Sequence, residues 1–546
     1  FNTRCLGGEN DESVLAIEHC AEKLTNGYGF LQRSGTNTSA YPHQGSEYSF
    51  THSWFQKVAY ERIPPVRRNY FHRQAGQRLE SLFKHDIEGV APALALHFEK
   101  AGDLPKAIQY RNIAGQAALL LFSADNVVRH LSRGLQLMAT LPEEFRRADQ
   151  EIEMLVPLGS VLVATRGYAH PEVESVYERA HKLCRKTEHN AQLLPTLYGL
   201  STYYMVRGDF GLCRELWTFF LETAKKSSLA ANLAWGYSVG CMASWYQGRY
   251  MYSCELAEKG LKFYDPSSQQ EYCRLFGMDA GLVCLLHHSL ARWVMGYPLE
   301  AKKKMQQALD ISEEHSGPLM RSFVLCFAGW LELFLKDYSR ADRFADKSLT
   351  LAARNGIEYW NIQASFLQEY ISGMTGRNSD VTQLLNGYIE THRQTGAVLI
   401  RGMFLYLLAE CYLQRGDPAS ALESVELALE TTRETGEDWW TSELLRFKGD
   451  LLLRLSPHHG KQMTEPAYEA EKLYLKAAAL ANEQSAKTLE LRATTSLYIL
   501  RAKTAREESA RQRLGGVMAT FTEGFDTLDF NLAKSLLENR GKVSDL

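Results

Sequence analysis

The feature that most constrains the fold of this chain is a repeat of about 40 residues marked by spaced glycines. Successive markers are 40, 48, 40, 40 and 40 residues apart, and a second series keeps the same 40-residue step. A fixed period of this length is typical of a solenoid, whose stacked units present an extended surface. We therefore expect recognition or regulation rather than chemistry. The first series is Gly208, Gly248, Gly296, Lys336-Asp337, Gly376 and Gly416; the second is Asn355-Gly356, Thr395-Gly396 and Thr435-Gly436.

Three of the markers are Gly-Asp pairs, at Gly102-Asp103, Gly208-Asp209 and Gly416-Asp417. Glycine takes the left-handed conformation that closes a helix. The following aspartate accepts a hydrogen bond from the N–H groups that begin the next helix. Each pair therefore predicts a tight corner between two helices.

Small and large residues recur at fixed offsets around these corners. Because small residues let antiparallel helices approach closely, the spacing predicts paired helices. The spacing resembles that of tetratricopeptide repeats, with a longer period. We expect an all-α, tetratricopeptide-like α-solenoid, a right-handed superhelix of about 10–12 helix pairs over residues 86–546. Two units carry the pattern fully: Ala95, Phe98, Gly102, Ala107, Ala114 and Ala409, Tyr412, Gly416, Ala421, Ala428.

Composition narrows the class of protein further. The 546 residues carry a net charge of −3, so the chain as a whole lacks the basic balance of a nucleic-acid-binding protein. No apolar run has the length of a membrane span, and we expect no membrane partner. The 10 cysteines are scattered without a C-x-x-C pair. This pattern predicts buried free thiols in a reducing cytoplasm.

Residues 1–85 differ from the rest of the chain. An amphipathic helix is expected over Ser13–Leu24, followed by short strands at Tyr28–Leu31 and Glu47–Phe50 with a polar loop between them. Helices from His52 to about Ile63 and from Arg67 to Phe83 come next, separated by Pro64-Pro65. A helix followed by a β-hairpin predicts the C-terminal part of a winged-helix domain.

Several stretches together resemble bacterial STAND-type AAA ATPases, in which a winged helix leads into tetratricopeptide repeats. The resemblance covers nearly the whole chain and rests on the order and spacing of these stretches. They are Tyr48–Tyr60, Arg67–Arg73, Leu79-Glu80, Ala95–Gly102, Thr165–Tyr168, Tyr264–Pro266, Phe276–Gly281 and Phe521–Asp526.

The resemblance implies a large signalling protein whose repeats sense an effector and control an ATPase domain. In that family a class III adenylate or guanylate cyclase or a protein kinase often comes first. The chain has no G-x-x-x-x-G-K-[ST] phosphate loop. We therefore expect no cofactor and no catalytic residue in this chain, with ATP and magnesium in upstream domains of the same polypeptide. The start at Phe1 rather than methionine favours a piece of a longer chain.

Candidate effector or partner residues come from two patterns. Arg166-Gly167-Tyr168 combines a cation and an aromatic in a loop, and dense aromatics are good anchors in binding surfaces. Aromatics at helical spacing are also typical of a packed core, and this alternative stays open. Asp279 and His287 lie near cysteines. The adjacent His287 and His288 would point in different directions on a helix, which favours packing over a metal site. The candidates are Arg166, Tyr168, Tyr203, Tyr204, Trp245, Asp279, His287 and Trp293.

Three functional hypotheses remain. The first is a regulatory module of a STAND ATPase that binds a protein, peptide or small effector. The second is a free-standing tetratricopeptide scaffold for protein–protein interaction. The third is a fragment of a transcription regulator, but Arg67, Arg68 and Arg73 make only a short basic cluster, so a nucleic-acid partner is not expected.

Overall fold

The computed structural model describes residues 11–34, 47–121, 123–187, 192–227, 229, 231–266, 276–378, 380–456, 464–502 and 506–538. This part of the chain holds 25 α-helices, one short 3₁₀ helix and one two-stranded sheet. The chain divides into two compact units, Phe1–Leu158 and Gly159–Leu546. It is an all-α, tetratricopeptide-like solenoid, as the repeat predicted. The sequence predicts a domain boundary between residues 85 and 86, where the winged-helix part ends and the repeats begin. That boundary stays a prediction.

The first unit begins with a helix, a hairpin and two further helices, and then continues as helix pairs. Aspartates cap two of the repeat helices: Asp86 accepts from the N–H of Gly89 and Asp103 from that of Lys106. The elements are α1 Asp11–Asn26, β1 Leu31–Ser34, β2 Glu47–Phe50, α2 Ser53–Arg62, α3 Pro65–Leu82, α4 Ile87–Lys100, α5 Leu104–Leu120, α6 Ala124–Ala139, the 3₁₀ helix Glu143–Phe145, and α7 Ala148–Arg166, in which the boundary between the units falls.

The hairpin starts later than the sequence predicted. Gly29 takes a φ of +63°, and the N–H of Phe30 donates to the carbonyl of Leu24, closing the end of α1. The strand therefore begins at Leu31, and residues 28–30 belong to the turn. Leu31 pairs with Phe50 in antiparallel register. The predicted loop falls largely on residues 35–46, which lie outside the described residues.

The second unit is a series of helices, many of them joined by short corners within the described residues. Antiparallel neighbours pack along their length, as in α9 with α10 and α19 with α20. The helices are α8 Pro171–Thr187, α9 Leu193–Val206, α10 Phe210–Lys226, α11 Ala231–Tyr246, α12 Tyr250–Lys262, α13 Ala280–Val294, α14 Pro298–His315, α15 Pro318–Phe334, α16 Tyr338–Arg354, α17 Glu358–Met374, α18 Val381–Gln394, α19 Arg401–Gln414, α20 Pro418–Thr435, α21 Thr441–Leu455, α22 Glu465–Glu483, α23 Lys487–Arg501, α24 Glu507–Met518 and α25 Leu528–Glu538.

The corners have the predicted chemistry. Gly208 and Gly416 take φ values of +81° and +79°. Asp209 and Asp417 then cap the next helices by accepting from the N–H groups of Leu212 and Ser420, at 2.9 and 3.1 Å. Lys336 holds the same left-handed conformation at φ +63° although it is not glycine. The 40-residue period therefore reflects one repeated corner.

The small residues of the repeat are buried, as the predicted close approach of paired helices requires. Ala409, Ala421 and Ala428 are fully buried in one pair. The described cysteines are free thiols, and all except Cys20 are buried. Cys5 and Cys273 lie outside the described residues.

Candidate functional site

Six of the eight candidate effector residues lie in the core of the second unit. Only Arg166 is exposed and Tyr204 partly so. The eight side chains therefore do not form one exposed surface in this structure, and six of them are buried in the interior. The buried six are Tyr168, Tyr203, Trp245, Asp279, His287 and Trp293.

A continuous network of aromatic rings fills the interior of the second unit. Trp245 lies with its ring centroid 4.4 Å from that of Trp439, and Trp293 lies 4.8 Å from Phe334. Tyr168 packs edge-on against Tyr359 at 5.0 Å. Aromatic pairs at these distances add to the free energy of burial. The dense aromatics of the sequence thus pack against residues far along the chain.

Hydrogen bonds also join repeats of the second unit that are far apart in the sequence. The last carbonyls of α9 and α11 have no partner within their own helices. The carbonyl of Val206 accepts from the N–H of Val398 at 2.9 Å, and the carbonyl of Tyr246 accepts from the N–H of Asp438 at 3.1 Å. Thr488 donates its hydroxyl to the carbonyl of Trp293, 195 residues away in the chain. Each helix end is therefore capped by a loop or helix start about five 40-residue repeats later.

Ion pairs make contacts of the same kind between distant repeats nearer the C-terminus. Asp529 accepts from Lys336 at 2.7 Å and from Arg492 at 2.8 Å, and these two cations hold the pKa of the Asp529 carboxyl down at about 2 even though burial alone would raise it. Arg492 also lies 3.6 Å from Glu443. A buried ionic group is costly to leave unpaired, so these ion pairs stabilise the packing of distant repeats against each other. We call this set of contacts between distant repeats the seam.

The polar candidates Asp279 and His287 have structural partners. Asp279 caps α13 by accepting from the N–H of Leu282 at 2.8 Å, and it also accepts from the hydroxyl of Tyr264. His287 bonds through Nδ1 to the carbonyl of Val283, and burial lowers its pKa to about 4. Among the described residues, no group of three potential ligands could hold a metal ion.

Arg166 and Tyr168 diverge from each other across their loop. The guanidinium of Arg166 pairs with Glu172 at the start of α8. The hydroxyl of Tyr168 points inward and donates to the sulfur of Met278 at 3.3 Å. The two residues therefore do not form a joint ligand contact in this structure.

An open groove lies between α8, α9 and α10, and Tyr204 is the one candidate residue that lines it. Its volume is about 280 Å³. Apolar side chains of α10 form one wall. The side chains of Leu212 and Phe219 are 40% and 43% exposed. The lining residues are Glu178, His181, Lys182, Leu200, Tyr204, Leu212, Glu215, Leu216 and Phe219. We call this cavity the α8–α10 groove.

The polar rim of the α8–α10 groove holds two carboxylates, Glu178 and Glu215, together with Lys182 and His181. Tyr204 donates to Glu174 at 3.2 Å, and burial together with this carboxylate raises the pKa of the tyrosine. Glu178 accepts from Lys182 at 3.1 Å. Glu215 adds a further carboxylate. An apolar wall beside two carboxylates, of which Glu178 is already paired with Lys182, suits an apolar side chain that is followed by a basic one that Glu215 can accept.

The sequence contained a signal for this groove that the candidate residues did not include. Leu212, Leu216 and Phe219 stand at helical spacing on α10, whereas the buried stripe of the same helix holds Cys213, Phe220 and others. Two apolar stripes on one helix indicate a second surface to cover. The second stripe lies over the open side of the helix pair.

No helix in the described part of the chain is long and apolar enough to cross a bilayer. No family model matches the chain. An uncharacterised protein of Rhizobium meliloti (strain 1021) is 22% identical over 419 residues, which cover 74% of this chain and 40% of that protein. The chain thus spans about two fifths of the length of the curated relative that it matches.

Several solved structures of helical-repeat proteins are distantly similar. The Rap protein in complex with Competence and Sporulation Factor has a TM-score of 0.48 and 13% identity, and covers 69% of this chain and 98% of its own. Yeast Tom70 has a TM-score of 0.33 and 13% identity, and covers 90% of this chain and 98% of its own. Likenesses this distant assign no function to the chain.

Proposed function

We propose that this chain is a partner-binding repeat module and that the α8–α10 groove is where the partner binds. The observation that carries the proposal is the open cavity of about 280 Å³ between these three helices, with exposed apolar side chains of α10 along one wall. The exposed Leu212 and Phe219 of α10 supply apolar contact area, and the carboxylates on the rim supply charge. The matching partner is a peptide or protein segment with an apolar side chain next to a lysine or arginine.

The groove shares a helix with the seam. Tyr204 lines the groove on α9, and two residues later the carbonyl of Val206 accepts from Val398 and Leu399 at 2.9 and 3.1 Å. A partner that shifts the end of α9 would therefore change these two hydrogen bonds. In this proposal the distant repeats have two packing arrangements, and a bound partner stabilises one of them. The fraction of molecules in that arrangement then reports whether the partner is bound.

Selection from a random peptide library on the purified chain tests the binding proposal. We expect enrichment of peptides that carry an apolar residue beside a basic one. The variant Leu212→Glu/Phe219→Glu removes the apolar wall and should weaken binding of the enriched peptides at least about tenfold, the effect of losing one good anchor. The control Leu427→Glu/Leu384→Glu changes side chains of nearly the same exposure, 41% and 43% against 40% and 43%.

Binding that survives in the groove variant, or that is lost equally in the control, would contradict the proposal. Enrichment of acidic peptides would contradict the assigned chemistry as well. Circular dichroism of both variants shows whether the helices are intact, because surface substitutions of this kind should cost little stability.

The finer proposal is that the module belongs to a cytoplasmic STAND-type signalling ATPase and senses an effector for it. This rests on the sequence resemblance and on the length of the Rhizobium meliloti relative, of which the alignment covers 40%. The alternatives are a free-standing scaffold and a fragment of a transcription-regulating ATPase. The coding sequence upstream of Phe1 distinguishes them. A phosphate loop there supports the ATPase, and an initiator codon close to Phe1 contradicts it.

A further inference from the structure

The second helix of the first unit, α2, has no buried residue. It runs for only 10 residues, and an isolated helix of this length is marginal in water. Most helices in proteins owe their stability to a packed apolar face. This helix instead leaves its large side chains uncovered, with Trp54 63% exposed and Val58 also exposed. A covering partner would supply the missing burial.

The next helix, α3, continues the uncovered surface. Its inner face packs on α4, where Gly76 meets the ring of Phe98 and Leu79 is buried. Its outer positions expose further large apolar side chains, including Val66 at 82%. Tyr70 and Phe71 lie with ring centroids 5.9 Å apart and both are exposed. Within each helix these side chains lie one turn apart, as Trp54 with Val58 and Val66 with Tyr70, and exposed apolar side chains grouped in this way mark interaction sites.

The surface also carries an excess of positive charge. Together α2 and α3 carry six lysines and arginines against two carboxylates, Glu61 and Glu80, in a chain whose net charge is −3. Within the described residues, Lys57 and Arg67 are exposed and make no ion pair. Arg68 donates to the backbone carbonyls of Ile63 and Glu61 and lies over the ring of Tyr60, none of which is an anionic partner. This positive charge is left for a partner to neutralise.

We propose that α2 and α3 bind an acidic amphipathic helix of a partner protein. The contact residues are Trp54, Lys57, Val58, Arg67, Tyr70 and Phe71, which we call the α2–α3 surface. The cations match carboxylates of the partner, and the aromatic and aliphatic side chains match its apolar face. Aliphatic side chains such as Val58 and Val66 have no stacking role toward bases, so a protein fits this surface better than a nucleic acid. The α2–α3 surface belongs to the first unit, and the α8–α10 groove belongs to the second.

Two synthetic amphipathic peptides test the proposal on the full chain. They share the same leucine and tryptophan positions, and their polar positions are glutamate in one and lysine in the other. Fluorescence anisotropy should show the glutamate peptide binding at least about tenfold more tightly at low salt, with the difference shrinking as salt screens the charges. In Lys57→Glu/Arg67→Glu the order of the two peptides should reverse. In Trp54→Ala/Tyr70→Ala both affinities should fall.

The control variant Lys303→Glu/Arg354→Glu changes two exposed cations of the second unit and should keep the wild-type order. Equal affinity for the two peptides, or no effect of the charge reversal, would overturn the proposal. Tighter binding of a duplex DNA oligonucleotide than of the glutamate peptide would make the occupant a nucleic acid. A dimer in sedimentation that dissociates in Trp54→Ala/Tyr70→Ala would make it a second copy of the chain.

Discussion

The hydroxyl of Tyr250 donates to the backbone carbonyl of Trp439 at 2.6 Å, across 189 residues of the chain. Tyr250 is the first residue of α12, and Trp439 stands just before α21. The N–H of Trp439 also donates to the carbonyl of Tyr246, at the end of the preceding helix α11. Both contacts tie the same two repeats together. The second unit is therefore held by contacts between distant repeats as well as between neighbours.

Replacing this hydroxyl should weaken the seam. Tyr250→Phe leaves the ring in place and removes the buried hydrogen bond, so we expect a loss of about 1 kcal/mol in the free energy of unfolding. Urea unfolding followed by circular dichroism measures this. The exposed Tyr468 supplies the control, because Tyr468→Phe should leave the unfolding midpoint within error. An unchanged midpoint in Tyr250→Phe would mean that this contact contributes no stability.

Two corner glycines should respond differently to alanine. Both Gly208 and Gly416 have positive φ values, so alanine strains both by about 1 kcal/mol. A Cβ atom on Gly208 would also lie 2.7 Å from Cγ2 of Thr435, whereas one on Gly416 would meet nothing within 4 Å. Gly208→Ala should therefore cost about 1–3 kcal/mol more than Gly416→Ala. Equal losses in thermal unfolding would argue against close packing at the seam.

Glu437 should make stability fall as pH rises. Its carboxylate accepts from the N–H of Ile400 at 2.9 Å and from Nε1 of Trp439 at 2.5 Å, yet burial raises its pKa to about 7. A raised folded-state pKa gives stability that is full below about 4.5 and is lost as pH rises through 7.

In Glu437→Gln this loss should disappear. We therefore expect Glu437→Gln to gain about 1–3 kcal/mol relative to the wild type between pH 5 and pH 8. Urea unfolding at both pH values measures the difference. A constant difference between the two proteins across this range would show that Glu437 is ionised throughout.

His392 should act in the opposite direction. Its ring packs against Tyr359 and Phe404, and burial lowers its pKa to about 4. A depressed pKa on a histidine gives stability that is full above about 6.5 and is lost as pH falls toward 4. His392→Leu should therefore lose less stability than the wild type when pH falls from 7 to 5. Parallel curves for the two proteins would show that this imidazole is not the source of acid sensitivity.

The sequence was sufficient for the corners because their chemistry is local. A glycine that closes one helix and an aspartate that caps the next leave a mark at adjacent positions, and Gly208-Asp209 and Gly416-Asp417 behave as predicted. The start of β1 was misplaced by three residues, because the left-handed Gly29 extends the turn after α1.

The interior could not be predicted in the same way. Whether Trp245 faces a ligand or the core depends on Trp439, which is far along the chain, and spacing within one repeat does not report that contact. The groove was missed for a related reason: Leu212 and Phe219 look like ordinary helix positions until the uncovered side of α10 is known.

The seam is tested most directly by hydrogen–deuterium exchange at four backbone amides. Val398, Leu399, Asp438 and Trp439 lie in short connections before α19 and α21, where exchange is ordinarily fast. If their N–H groups donate to Val206 and Tyr246, they should exchange as slowly as amides inside the neighbouring helices. Exchange at the rate of exposed loops would contradict the hydrogen bonds of the seam and the packing of distant repeats against each other.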